Sequence, residues 1–102
     1  MKIDFLNGKD VFIFGFGIAG KWLASNGDLN VGGFIDNNLK KNGRTFLSHK
    51  VFSPKQVKHI IKPKDIILNT VLDIQDVIPV IEANFPENQA IAIGEFLNDE
   101  KV

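Results

Sequence analysis

A short apolar run that leads into a glycine motif decides the fold of this chain: Val11-Phe12-Ile13-Phe14-Gly15-Phe16-Gly17-Ile18-Ala19-Gly20. Four apolar residues typical of a buried strand precede Gly-x-Gly-x-x-Gly, and a helix-like segment follows. In such a unit the first glycine permits a tight turn, the second lets the main chain approach phosphate, and the third lets helix and strand pack closely. Amides at the start of the helix then face the anion. The stretch therefore predicts an α/β unit with a nucleotide site.

The turn is expected to bind phosphate through its main chain, with the N–H groups of Phe16 and Ile18 as donors. The predicted cofactor contacts in this segment are Gly15, Phe16, Gly17, Ile18 and Ala19. A purely structural role is the alternative, in which Gly15 and Gly20 serve the turn and the packing and no ligand is present.

Four apolar runs without polar alternation predict buried parallel strands, and a weaker run predicts a short edge strand. They are Val11–Phe14, Val31–Ile35, Asp65–Asn69, Ala90–Ile93 and, at the edge, Lys50–Phe52. Helical segments between them imply right-handed βαβ units. We therefore expect a Rossmann-like α/β/α sandwich whose mostly parallel sheet has four or five strands in the order 3-2-1-4-5, with Val11–Phe14 in the centre. Gly32-Gly33 inside the second strand is expected to reflect close packing of a helix.

Three helices are predicted from apolar spacing and from start and stop signals. The first follows Gly17 and ends near Asn26-Gly27, and the second begins at the capping pattern Ser53-Pro54-Lys55-Gln56 and ends before Pro63. The third spans Gln75–Asn84, where Pro79 requires a start at Gln75 or Asp76, or a kink. Their expected inward residues are Ile18, Ala19, Trp22, Leu23, Val57, Ile60, Ile61, Val77, Ile78, Ile81 and Phe85. The long polar loop Asn37–Ser48 is expected to contain one helical turn, at Leu39–Asn42.

Composition limits the function classes. The 102 residues suit one domain, 1–102, and the 12 basic and 12 acidic side chains give no reason to expect nucleic acid or a membrane as partner. The absence of cysteine excludes a disulfide framework, a thiolate metal site and a cysteine nucleophile. His49 and His59 fit no metal-ligand pattern, so no metal is expected. Met1–Asp4 shows no signal-peptide pattern, and we expect a cytoplasmic protein.

An acid follows the second predicted strand at the position that a dinucleotide ribose requires. Asp36 comes 21 residues after Gly15 and ends the run Val31–Ile35. Its carboxylate can accept hydrogen bonds from both ribose hydroxyls and would repel a 2′-phosphate, which favours NAD over NADP. A turn acid is the alternative, because Asp36-Asn37-Asn38 also suits an Asx turn.

Two further groups lie where a nucleotide would bind. Asn69 and Thr70 end the fourth predicted strand in chain order, and either contact a ligand or cap the turn that follows. Lys40, Lys41 and Arg44 form a basic cluster that either reaches a phosphate, a 2′-phosphate included, or remains a solvated loop. No residue is a convincing general acid, base or nucleophile, and no tyrosine is present for a Tyr-x-x-x-Lys pair.

Four segments resemble the small Rossmann-like N-terminal domains of bacterial surface-sugar enzymes: Ile13–Lys21, Val31–Asn38, Gly43–Thr45 and Val51–Pro54. This group includes PglD-type sugar acetyltransferases, nucleotide-sugar dehydratases and the domain before some FkbM-type methyltransferases. In the acetyltransferases the resemblance implies a UDP-sugar, with Gly15 and Gly17 at phosphate and Asp36 with Asn37 at the base or ribose. In the dehydratases the same positions hold NAD. Ile18-Ala19 replaces the histidine usual in the acetyltransferase turn, so the glycine spacing is closer to the NAD branch.

The sequence therefore predicts a nucleotide-binding module, most simply for NAD, associated with nucleotide-sugar or polysaccharide metabolism. It would be part or partner of a larger enzyme, as a homodimer or with a partner catalytic domain. A UDP-sugar-binding domain and a ligand-free interaction scaffold are the alternatives. An S-adenosylmethionine site is a weaker option, since the chain lacks the further strands of a methyltransferase.

Overall fold

Six strands form one sheet in the computed structural model, which describes residues 6–93. They are β1 (Asp10–Phe14), β2 (Asn30–Ile35), β3 (Thr45–Phe46), β4 (His49–Phe52), β5 (Ile66–Asn69) and β6 (Gln89–Ala92). The order across the sheet is β3-β4-β2-β1-β5-β6, and every neighbouring pair is parallel except β3 with β4. The predicted α/β class is confirmed, and the five parallel strands have the predicted order. Met1–Asp4 and the last residues of the predicted domain, 94–102, lie outside the described residues.

The hairpin of β3 and β4 corrects two predictions. Thr45–Phe46 falls within the predicted loop Asn37–Ser48, and it pairs antiparallel with β4, so the run Lys50–Phe52 is not the edge of the sheet. Leu47 and Ser48 form the two-residue turn, and both have positive φ, 51° and 67°. Such a turn is usually signalled by Asn-Gly or Asp-Gly, and neither dipeptide is present here.

Helices cover both faces of the sheet: α1 (Ile18–Asn26) on one, α2 (Pro54–Val57) and α3 (Ile74–Asn84) on the other. Alternate residues of the strands point to opposite faces. The buried residues on the α1 face are Leu6, Val11, Ile13, Phe16, Leu23, Phe34, Val51, Ile66, Leu68 and Ile93. Those on the other face are Phe12, Phe14, Ile35, Val57, Ile67, Val77 and Phe85. None of the helices among residues 6–93 has the length and hydropathy needed to cross a bilayer.

The helices differ from prediction at their ends and at four positions predicted to face inward. The α2 helix ends at Val57, because the amides of His59 and Ile60 bond to carbonyls three residues back instead of four and close the chain into a turn ahead of Pro63. The α3 helix begins earlier, at Ile74, and retains Pro79 inside it. The positions predicted inward but found exposed are Ile18, Ile60 and Ile78, together with half-exposed Trp22. The predicted helical turn after Asp36 is present as a 3₁₀ helix, Leu39–Lys41.

The glycine pair in β2 has a cause other than the expected helix packing. A Cβ on Gly32 would lie 3.0 Å from the Phe12 ring, and one on Gly33 would lie 2.8 Å from the Phe52 ring. Both rings belong to the neighbouring strands β1 and β4. Glycine suits both positions because aromatic rings of the neighbouring strands lie where its Cβ would be.

Candidate nucleotide-binding site

The carboxyl ends of three strands meet at one edge of the sheet. Phe14 pairs with Ile35 on one side and with Asn69 on the other, so the turns after β1, β2 and β5 are neighbours. The chain leaves β1 for the helix on one face and leaves β5 for the helix on the opposite face. Such a switch point opens a crevice between the loops, which is where ligands bind in open α/β sheets.

The first glycine of the motif is required by a close approach to the turn after β5. Gly15 has φ +112°, and a Cβ there would lie 2.5 Å from Oγ1 of Thr70 and 3.0 Å from Cγ2 of Val71. The amide of Gly15 donates to the Ile35 carbonyl at 2.7 Å. A side chain at position 15 would therefore push β1 and β5 apart at the edge where the crevice opens.

The third glycine brings α1 onto the turn. A Cβ on Gly20 would collide with the carbonyl oxygen of Gly15, and Gly20 is buried in the helix. This is the close helix–strand packing expected of the motif's last glycine. As a result, the first turn of α1 lies directly over the end of β1.

The second glycine faces open space. A Cβ on Gly17 would meet no atom within 4 Å, and its φ of −122° is open to any residue. No side chain caps α1, and its first turn contains no acid. The amides of Gly17, Ile18 and Ala19 have no acceptor among the described residues. They form an uncapped helix start with the positive end of the helix dipole, which is the electrostatic arrangement that binds a phosphate.

Asp36 is bound to the glycine turn. Its Oδ2 accepts from the amide of Phe16 at 2.9 Å, and its Oδ1 accepts from the amide of Asn38 at 2.8 Å. The bond from the Asn38 amide closes the Asx turn that the sequence pattern indicates as the alternative role of Asp36. A carboxylate has about four acceptor positions, and these amides use two of them. The side chain is 14% exposed, so it retains acceptor capacity for hydroxyl donors in the crevice.

Lys41 is part of the site, although the sequence did not separate it from Lys40 and Arg44. Its ammonium lies 3.2 Å from the Phe16 carbonyl oxygen and 3.8 Å from Oδ2 of Asp36. The available signal was the predicted helical turn after Asp36, because one turn reverses the chain and returns residue 41 toward residue 36. Its partners could not be identified without the conformation of the glycine turn.

The other predicted contacts hold the loops around the crevice. Asn69 bonds the amide and the carbonyl of Val71, at 3.0 and 3.1 Å, and the Thr70 hydroxyl donates to the Phe14 carbonyl at 2.9 Å. The Asn37 amide group donates to the carbonyl of Asp76 in α3 at 3.2 Å. The Thr70 bond ties the turn after β5 to the end of β1, and the Asn37 bond ties the turn after β2 to α3. The Asn69 and Thr70 bonds are those that the capping alternative describes.

The Phe16 side chain is buried beneath the turn. Its ring packs edge-on against Phe34 at a centroid distance of 5.0 Å, and the ammonium of Lys21 lies 4.4 Å from the ring centroid. The amide of Phe16 is already bonded to Asp36. Of the two main-chain donors predicted for the turn, Ile18 therefore remains available, and the amides of Gly17 and Ala19 are also unpaired among the described residues.

An open groove of about 300 Å³ lies beside Asn37, between the start of α2 and the outer surface of α3. Leu39, Pro54 and Val80 contribute its apolar wall, and Asn84 and Ser53 are also at its margin. Among residues 6–93 there is no group of three or more side chains able to hold a metal ion. The arrangement can bind an anion and hydroxyl groups.

Comparison with solved structures identifies the fold. UDP-D-quinovosamine 4-dehydrogenase from Vibrio fischeri matches with a TM-score of 0.68 and 23% identity, over 92% of this chain and 86% of that chain. RSP, a Rex-family repressor, matches with a TM-score of 0.59 and 15% identity, over 91% of this chain and 57% of that chain. The repressor has also been solved with β-NADH, and with β-NAD+ and operator DNA. This chain spans little more than half of the repressor, and the likeness establishes a Rossmann-like fold.

No protein-family profile matches the sequence, and a search of curated proteins finds no relative.

Proposed function

We propose that this chain is a nucleotide-binding module that holds NAD(H) at the carboxyl edge of its sheet. The observation that carries the proposal is the uncapped start of α1, with the amides of Gly17, Ile18 and Ala19 unpaired among the described residues and open space at Gly17. A diphosphate supplies the negative charge and the acceptors that this helix start lacks. The β-NADH complex of a structurally similar repressor supports the same class of ligand.

Asp36 decides the form of the cofactor in this proposal. Its carboxylate is anchored to the turn by the amide of Phe16 and keeps acceptor positions for the adenosine ribose. A phosphate on the 2′-oxygen would add negative charge beside this group, so NADH is the preferred ligand. Asn37, Asn69 and Thr70 complete the proposed contacts, the first beside the base or ribose and the other two at the opposite wall of the crevice.

We further propose that the module serves an enzyme of nucleotide-sugar or polysaccharide metabolism in the cytoplasm. The module provides the binding site, and a partner catalytic domain or a second copy provides the reacting groups. The similar fold of a UDP-sugar dehydrogenase supports this assignment and also makes a UDP-sugar the second candidate ligand. A UDP-sugar has the same diphosphate and would use the same helix start. The balanced charge of the chain remains the argument against nucleic acid as a partner.

Calorimetric titration with NADH, NADPH and UDP-N-acetylglucosamine tests the proposal, together with the variant Gly17→Ala. A methyl group at position 17 meets no protein atom but occupies the space through which a phosphate approaches. We expect NADH affinity to fall roughly tenfold or more while the melting temperature changes little. Ser25→Ala, on the exposed face of the same helix, is the matched control.

Three outcomes distinguish the candidates. Equal NADH affinity in the wild type and Gly17→Ala would place the dinucleotide elsewhere and overturn the site. Binding of the UDP-sugar in preference to NADH would establish the second candidate. A wild-type chain that no nucleotide stabilises at millimolar concentration would be an interaction scaffold, because any ligand of the folded state raises the melting temperature by mass action.

A further inference from the structure

The main chain of Phe16 is held at both ends by one ion pair. Asp36 accepts from its amide at 2.9 Å, and Lys41 donates to its carbonyl oxygen at 3.2 Å. We propose that Lys41 is a positioning residue that orients the peptide unit between Phe16 and Gly17, so that the Gly17 amide faces the bound diphosphate. The inference rests on the proposed function, since it concerns how that site is prepared for its ligand.

The geometry of a peptide unit connects Lys41 to the phosphate site. The described part of the chain contains no cis peptide bond, and in a planar trans unit the C=O and the following N–H point in opposite directions. The carbonyl of Phe16 faces Lys41, so the N–H of Gly17 faces away from it, and that N–H has no acceptor among residues 6–93. By fixing the carbonyl, Lys41 fixes the direction of the donor.

Gly17 makes such a restraint necessary. Glycine has access to a wide range of φ and ψ, and nothing lies within 4 Å of the position that its Cβ would occupy. Packing on the side of the missing Gly17 side chain therefore does not restrain the peptide plane, whereas a hydrogen bond to the Phe16 carbonyl does. A cationic donor on the carbonyl oxygen also polarises the amide, which strengthens its N–H as a donor to an anion.

Local structure brings Lys41 to this position. Asn38 accepts from the amide of Lys40 through its side chain and from the amide of Lys41 through its carbonyl, which closes the 3₁₀ helix Leu39–Lys41. Asn38 in turn donates its own amide to Asp36. The Lys41 side chain is 31% exposed, so the contact is partly shielded from water. The loop that contains the ribose-binding acid thus also supplies the cation that orients the turn.

Binding measurements on three variants test the inference. Lys41→Met removes the ammonium and retains most of the apolar stem, Lys41→Arg retains a cationic donor, and Lys40→Met removes the same charge from the adjacent, exposed residue. We expect NADH affinity to fall roughly tenfold in Lys41→Met, to recover largely in Lys41→Arg, and to change less than about twofold in Lys40→Met. Equal losses in Lys41→Met and Lys40→Met would overturn the inference and leave the proposed function standing. If the wild-type chain binds no nucleotide, the proposed function is wrong, and the inference that rests on it is wrong as well.

The ligand-free protein provides a second, independent readout. The ¹⁵N and ¹H shifts of the Gly17 amide report on hydrogen bonding to the preceding carbonyl, so we expect this cross-peak to move in Lys41→Met and to return toward its wild-type position in Lys41→Arg. Lys40→Met leaves it unmoved. A Gly17 cross-peak that is the same in the wild type and Lys41→Met would show that Lys41 does not orient the peptide, whatever the binding result. Loss of stability alone would not produce this selective pattern.

Discussion

Asp36 Oδ2 accepts a hydrogen bond from the amide nitrogen of Phe16, 20 residues earlier in the chain, at 2.9 Å. This bond joins the turn after β1 to the turn after β2 at the carboxyl edge of the sheet. It gives the acid two functions in the proposed site: it holds the glycine turn, and it presents the remaining acceptor positions to a ribose. A substitution at Asp36 therefore affects both stability and ligand choice.

Asp36→Asn is expected to weaken NADH binding and to reduce the preference for NADH over NADPH. The substitution replaces one carboxylate oxygen by an NH2 group that cannot accept, so the bond from either Phe16 or Asn38 is lost, and the neutral side chain no longer repels a 2′-phosphate. We expect a loss of about 1–2 kcal/mol in the free energy of unfolding. Dissociation constants for both cofactors and chemical denaturation test this.

Asp73→Asn is the control for that variant. It removes an acid that precedes α3 and makes no side-chain cap bond. An unchanged ratio of NADH to NADPH affinity in Asp36→Asn would contradict the role of Asp36 in cofactor choice.

Gly15→Ala is expected to destabilise the fold by about 2–4 kcal/mol, because the residue has positive φ and the new methyl group would lie 2.5 Å from Thr70 Oγ1. Gly17→Ala is the matched comparison, with negative φ and open space, and we expect it to cost less than about 1 kcal/mol. Urea denaturation of the two variants measures the difference. Equal costs would mean that the turn after β5 does not restrict position 15.

Leu23→Ala and Ile18→Ala separate the buried and exposed sides of α1. Leu23 is fully buried, and its truncation is expected to cost about 2–5 kcal/mol. Ile18 is 92% exposed, so Ile18→Ala is expected to change stability by less than about 0.5 kcal/mol. Thermal unfolding compares them. A large cost at Ile18 in the isolated chain would show that this side chain is covered after all.

Ser53→Ala is expected to lower the free energy of unfolding by about 1 kcal/mol. The Ser53 hydroxyl accepts from the amide of Gln56, and the Gln56 side chain accepts from the amide of Ser53, which is a complete capping box at the start of α2. Ser25→Ala is the control, because that hydroxyl is exposed inside α1. A cost at Ser53 no greater than that at Ser25 would mean that the cap does not stabilise the helix.

Local sequence was sufficient for the parallel strands, their order and most helix boundaries. Val11–Phe14 is apolar throughout because β1 is buried on both faces, and the Ser53–Gln56 cap is a contact between residues close in sequence. The hairpin turn at Leu47-Ser48 and the exposure of Ile18, Ile60 and Ile78 were not predictable in the same way. A positive φ at residues without a turn signature depends on the pairing of β3 with β4, and apolar spacing does not reveal how much of a short helix the sheet covers.

For the candidate site, the glycine spacing and the acid after β2 predicted that the glycine turn and Asp36 lie at the same edge of the sheet, and the structure brings them into contact. The contacts that Asp36 and Lys41 make with the glycine turn could not be predicted from local sequence. The contact of Lys41 with the Phe16 carbonyl, for example, joins residues separated by 25 positions. Local pattern determined which elements form and which edge of the sheet is open, since both follow from backbone preferences and burial along a short stretch. Only the tertiary structure decided which amides remain unpaired and which cation holds the turn, because those depend on distances between loops that the sheet alone brings together.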